Sequence, residues 1–95
     1  MVIRLNEQKM KGFYIDSKQN DIKIPYDFLE NKAIPDEHKA LFSLLTKYGI
    51  EKESNEIDED DLASILDEVG VKLNQDLLMT LGWLEDRRYL KVENF

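Results

Sequence analysis

A chain of 95 residues with 42% hydrophobic and 35% charged side chains has the composition of one small globular domain and not that of a disordered segment. It holds no apolar run near the roughly 18 residues of a membrane span. Met1-Val2-Ile3-Arg4-Leu5 turns polar too soon for a signal peptide, and without cysteine there is no disulfide, thiolate nucleophile or zinc–thiolate site, so the chain reads as cytoplasmic.

The net charge of −7 is uneven. Residues 1–50 carry 8 basic and 7 acidic side chains, whereas residues 51–95 carry 5 basic and 13 acidic, a net of −8. That acidity weighs against contact with a nucleic-acid backbone by the second half.

Alternation predicts a β-hairpin early in the chain. Phe13 and Ile15 are two apart, as are Ile22 and Ile24, with the polar run Ser17-Lys18-Gln19-Asn20-Asp21 between them. Residues 12–16 then pair with 21–24, and residues 2–5 add a third strand. Pro25 stops the pairing, and residues 26–30 form one helical turn that carries Phe28 and Leu29 inward.

A helix follows over 35–48. Pro35 suits its first position, Asp36 and Glu37 favour the positive end of its dipole, and Leu41, Phe42, Leu44, Leu45 and Tyr48 form its apolar stripe. Gly49 is the expected left-handed cap and residues 51–56 a polar loop. The next helix starts at Asp58, with Asp61 as reciprocal cap and Ile57 stapled to Leu62. Leu62, Ile65, Leu66 and Val69 repeat at helical spacing until Gly70. The same grammar recurs with Asn74 as cap, Leu73 stapled to Leu78, and Leu77, Leu81 and Leu84 as the core positions of a helix ending near Arg87. Residues 89–92 close as a strand.

Two helices joined by Gly70-Val71-Lys72-Leu73 make a helix-turn-helix, and the strand after the second extends it to a winged helix. The expected fold is α+β: one domain over 1–95, with a hairpin lead-in at 1–30 and a helical core with terminal strand at 35–92. Only Glu93-Asn94-Phe95 follow that strand, so the wing is read as truncated. The free edge of the strand then pairs with the N-terminal hairpin or stays open for a partner.

Leu84-Glu85-Asp86-Arg87-Arg88-Tyr89-Leu90 resembles the helix-to-wing junction of the winged-helix superfamily, Leu-Glu-x-x-Gly-x-Ile. Arg88 stands where glycine is usual, which implies a gentler bend. Ile24-Pro25 ahead of Phe28-Leu29, then Lys39-Ala40-Leu41-Phe42 and Leu44-Leu45, resembles the opening of replication-initiator winged-helix domains of plasmids and phages. In size and plan the chain is similar to small winged-helix proteins encoded beside polymerases and helicases in mobile-element replication modules, including those of staphylococcal cassette chromosomes. The resemblance implies an accessory factor in DNA replication.

The residues argue against catalysis. The one histidine, His38, has no candidate nucleophile or orienting group and reads as a partly exposed helix residue. The run Glu56, Asp58, Glu59, Asp60, Asp61 lacks the glycine bend of a calcium loop and reads as a capped helix start. Gly12, Gly49, Gly70 and Gly82 form no phosphate cradle. No enzyme, cofactor or metal is expected.

The third helix carries the candidate surface. With Leu77, Leu81 and Leu84 inward, the stripe of Asp76, Met79, Thr80 and Trp83 points away from the core face. Either the hairpin folds over this stripe, or it docks a partner, since Trp and Met are enriched at interfaces. The partner-binding set is then Leu78, Met79 and Trp83 as anchors, with Asp76, Glu85 and Asp86 as an acidic rim facing a basic replication protein such as a polymerase or helicase. A first alternative is a nucleic-acid-binding regulator using Asn74, Gln75, Thr80, Arg87, Arg88 and Lys91. Against it, residues 74–86 hold no Lys or Arg, so duplex affinity is expected to be weak. A second alternative is an acidic DNA mimic. Lys9, Lys11, Lys18, Lys23 and Lys32 with Phe13, Tyr14 and Tyr26 give either a modest single-strand surface or a solvated hairpin whose aromatics are core.

Overall fold

The computed structural model describes residues 1–94; Phe95, the last of the three residues assigned to the truncated wing, lies outside them. The fold is α+β. In chain order it runs β1 (Val2–Leu5), α1 (Glu7–Met10), β2 (Tyr14–Ile15), β3 (Ile22–Lys23), α2 (Tyr26–Leu29) and α3 (Asp36–Lys52). Then come β4 (Glu56–Asp58), α4 (Glu59–Glu68), α5 (Gln75–Asp86) and β5 (Leu90–Glu93).

The hairpin forms, though shorter than the alternation predicts, with Tyr14 opposite Lys23 and Ile15 opposite Ile22. It is not the partner of the terminal strand. β1 lies between β4 and β5 and is antiparallel to both, with Ile3 opposite Ile57 on one side and Val92 on the other. Ile3 and Leu5 face the core, where they meet Ile57 and Leu90. On the opposite face Arg4 reaches Glu56 at 2.7 Å and Glu93 at 3.4 Å, so the two outer strands share one cation.

Leu41, Phe42 and Leu45 of α3, Leu62, Ile65 and Leu66 of α4, and Leu77, Leu81 and Leu84 of α5 complete the core at the predicted helical spacing. Phe13, Phe28 and Tyr89 gather around Phe42 with ring centroids 5.2–5.7 Å from it, which anchors the hairpin, α2 and the start of β5 to α3. The other aromatics of the lead-in, Tyr14 and Tyr26, stay exposed, as does Leu29, which was expected inside.

The caps explain the helix starts. Asp58 accepts from the Asp61 amide at 2.8 Å while Asp61 accepts from the Asp58 amide at 3.3 Å, the reciprocal box that the spacing predicts. The Asp61 carboxylate is shared further. The Tyr48 hydroxyl donates to it at 2.6 Å and Lys52 Nζ at 2.8 Å, which ties the start of α4 to the end of α3. Chiefly through Lys52, then Tyr48, its pKa is lowered from 3.8 to about 2. Ionised Asp61 therefore stabilises the fold fully above its unfolded pKa of 3.8, and that contribution is lost as pH falls toward 2. In urea titrations at successive pH values, Asp61→Asn is expected to be less stable than the parent at neutral pH, with the gap closing between about pH 4 and 2. A gap that persists unchanged to pH 2 would assign the loss to something other than this carboxylate.

Helix ends depart from expectation. α3 runs through Gly49, and the left-handed residue is Glu53 at φ 55°. Gly49 is needed for a different reason: a Cβ there would lie 2.7 Å from the Ser54 carbonyl oxygen. Of residues 51–56, expected as a loop, 53–55 form the connection, while 51 and 52 end α3 and 56 begins β4. α4 ends as predicted, with Gly70 at φ 72° and the Val71 amide returning to the Leu66 carbonyl at 2.9 Å. After α5 the same return bond runs from Tyr89 to Leu84 at 2.9 Å, with Arg88 at φ 64°. The turn into β5 is therefore as sharp as a glycine would make it, not gentler, and Arg88 bears the strain. Arg88→Gly is expected to raise stability by about 0.5–1 kcal/mol, because relief of that strain exceeds the added unfolded-state entropy. Chemical denaturation checks it; a loss of stability would mean that the arginine side chain contributes more than its backbone costs.

Candidate protein-binding surface

Asn74 caps α5 by accepting from the Leu77 amide at 3.0 Å, which fixes where the helix begins. Leu77, Leu81 and Leu84 turn inward as expected. The outward stripe divides into two parts. Asp76 and Met79 are exposed, Met79 at 65%. Trp83 is half-buried and Leu78 is also partly covered against the core. The cover over Trp83 is not the hairpin. His38 of α3 lies edge-on to its ring with centroids 4.7 Å apart, and the Arg87 guanidinium sits 3.9 Å from the ring centroid. Of the three expected anchors, Met79 alone is fully presented.

The acidic rim is also reduced. Glu85 is half-buried and accepts from the Val92 amide at 2.8 Å, so it caps the outer edge of β5. Asp86 and Asp76 remain exposed.

The residues of the nucleic-acid alternative separate into two groups. Asn74 and Gln75 are exposed at the start of α5, and Arg87, Arg88 and Lys91 at or beyond its end. The 12 residues of α5 put about 18 Å between the groups at 1.5 Å per residue. Thr80, half-buried, gives its hydroxyl to the Asp76 carbonyl at 3.0 Å. Among the described residues no group of three or more His, Cys, Asp and Glu side chains is placed to hold a metal ion. Among the same described residues no helix is long and apolar enough to cross a membrane.

A trough of about 610 Å³ lies between α3 and α5, with the end of α4 and the α4–α5 turn also contributing to its lining. Leu41 and Leu44 of α3, Leu66 of α4 and Leu77 of α5 line it, with Val69 and Val71 at the turn. Val69, Val71 and Leu73 are 48%, 44% and 49% exposed. The expected core role of Val69 is therefore not realised, and Val69, Val71 and Leu73 lie half-exposed around the turn. Sequence reasoning missed the trough because it assigned Val69 to a helix stripe, Leu73 to a staple and Val71 to a plain turn. The readable signal was a connection of four residues, Gly70-Val71-Lys72-Leu73, that is half apolar where turns are usually polar. Comparison with protein-family models, with curated proteins and with solved structures finds no match to this chain.

Proposed function

We propose that the chain is a winged helix-turn-helix module that binds a protein. In this reading it is a non-enzymatic cytoplasmic accessory factor, docking onto a basic replication protein such as a polymerase or helicase of a phage or mobile element. α4, the four-residue turn and α5 supply the helix-turn-helix. β1, between β4 and β5, stands where the returning strand of a wing would complete the sheet. The observation that carries the function is the group of exposed apolar residues Val69, Val71 and Leu73 at the α4–α5 turn, on the half of the chain that nets −8, with Met79 exposed further along α5. Exposed apolar residues grouped in this way mark interaction surfaces, and the surrounding carboxylates select a basic partner.

Two measurements test the reading. Fluorescence anisotropy with genomic duplexes at physiological salt is expected to give affinity no tighter than about 10⁻⁴–10⁻⁶ M, the non-specific range. Nanomolar, sequence-selective binding would replace the adaptor with the regulator. A photo-crosslinking residue at Met79 or Val71, introduced in the native host, is expected to capture a basic nucleic-acid enzyme. Capture of DNA alone, or of nothing above the uncrosslinked control, would remove the adaptor.

A further inference from the structure

We infer that the trough between α3 and α5 is the docking site itself, and that its occupant is an amphipathic helix of the partner with lysines or arginines flanking its apolar face. The inference rests on the adaptor reading and deepens it: the outward stripe of α5 is displaced as the principal contact by the neighbouring groove. Three features select this occupant. First, the floor is leucine from three helices, an apolar surface of the sort that accepts side chains spaced at i, i+3 or i+4, and i+7. Second, the polar groups that line it are largely used. The Asn74 carboxamide oxygen caps α5, and the Thr80 hydroxyl is bonded to Asp76. A small ligand needs a few convergent polar groups to orient it, and apart from Glu37 and Asp76 the lining has few left to give. Third, the remaining polar side chains of the lining are two carboxylates, Glu37 and Asp76, with no cation among the lining residues. They would repel a nucleic-acid backbone, and they would repel a second copy of a chain that itself carries a net −7. A helix with apolar anchors and basic flanks satisfies the floor and the rim together.

The test uses the full chain, isotope-labelled, with a synthetic peptide of about 16 residues, long enough to hold a helix. Its leucines recur at i, i+4 and i+7 and its other positions are lysine and alanine. A counterpart has glutamate for every lysine, and a third peptide is the scrambled lysine form. Expected are saturable methyl shifts at Leu44, Val69, Val71 and Leu77 with the lysine peptide, and binding at least about tenfold weaker with either control. Ala40→Trp, which fills the trough from an exposed helix position, should abolish those shifts. Glu37→Lys with Asp76→Lys, confined to the rim, should weaken binding about tenfold or more and flatten its salt dependence. Shifts confined to Leu78, Met79 and Asp86 would overturn the trough as the site while leaving the adaptor reading in place. Equal binding of the glutamate peptide would overturn the basic occupant. No binding of any peptide would overturn the helix-docking trough, while crosslinking at Met79 decides the adaptor reading separately.

Discussion

A chain that begins at Asn6 is expected to lose cooperative unfolding altogether. Among the described residues β1 is the only strand that β4 and β5 pair with, so its removal leaves two short strands without a sheet. Ile3 and Leu5 are buried, each at 1% exposure. Burial of two such side chains stabilises by about 3–6 kcal/mol, at about 1.5–3 kcal/mol each. A domain this small has a total stability near the low end of about 5–15 kcal/mol, so that loss is decisive. The strand also ends the turns around it: the Leu5 amide donates to Asn55 at 2.8 Å, and Asn55 Nδ2 donates to the Leu5 carbonyl at 3.1 Å. Far-UV circular dichroism and thermal melts decide the outcome. A cooperative melt within a few degrees of the full chain would show that β1 is dispensable and that residues 6–95 hold together without it.

What was legible in the sequence is what local chemistry controls. Asp58 with Asp61, Asn74, and the leucines of α4 and α5 declare themselves through caps and periodicity within a few residues. The placement of β1 is a long-range choice. Val2–Leu5 carries the alternation of any half-buried strand, and that alternation names no partner. The neighbours selected in the fold lie some fifty and ninety residues on. The end of α3 was misplaced for a related reason. Gly49 looks like a stop, but it is required by a close approach to Ser54, and the actual stop is a glutamate in the left-handed region. The candidate site was legible only in part. Exposure of Met79 and Asp76 follows from helical phase, whereas the covering of Trp83 by His38 depends on where α3 crosses α5. The trough is the space three helices leave between them, and no single stripe encodes it.

Phe42→Ala is expected to cost about 3–5 kcal/mol, the range for a buried aromatic whose cavity collapses poorly. Phe42 is fully buried, and three rings meet it: Tyr89 at 5.2 Å, Phe13 and Phe28 each at 5.7 Å. Those rings belong to the start of β5, the hairpin lead-in and α2, so no single one of them can move into the space without leaving another contact. Trp83→Ala in the same host gives the calibrating comparison. Its ring is half-buried, bounded by His38 on one side and Arg87 on the other, with one part still wet. A cost of about 2 kcal/mol is expected, above the roughly 0.5 kcal/mol of a bare surface position and below that of Phe42. Melts of both variants rank the two sites. A loss at Trp83 equal to that at Phe42 would make the tryptophan core and take it out of any docking surface. A loss under about 0.5 kcal/mol would mean that His38 and Arg87 do not hold the ring, and would return Trp83 to the exposed stripe beside Met79. The intermediate value has its own consequence for binding. A ring already held by two neighbours forfeits little side-chain entropy when a partner covers its remaining face. Trp83 can thus offer a preorganised contact on its open face while it packs α5 against His38 of α3.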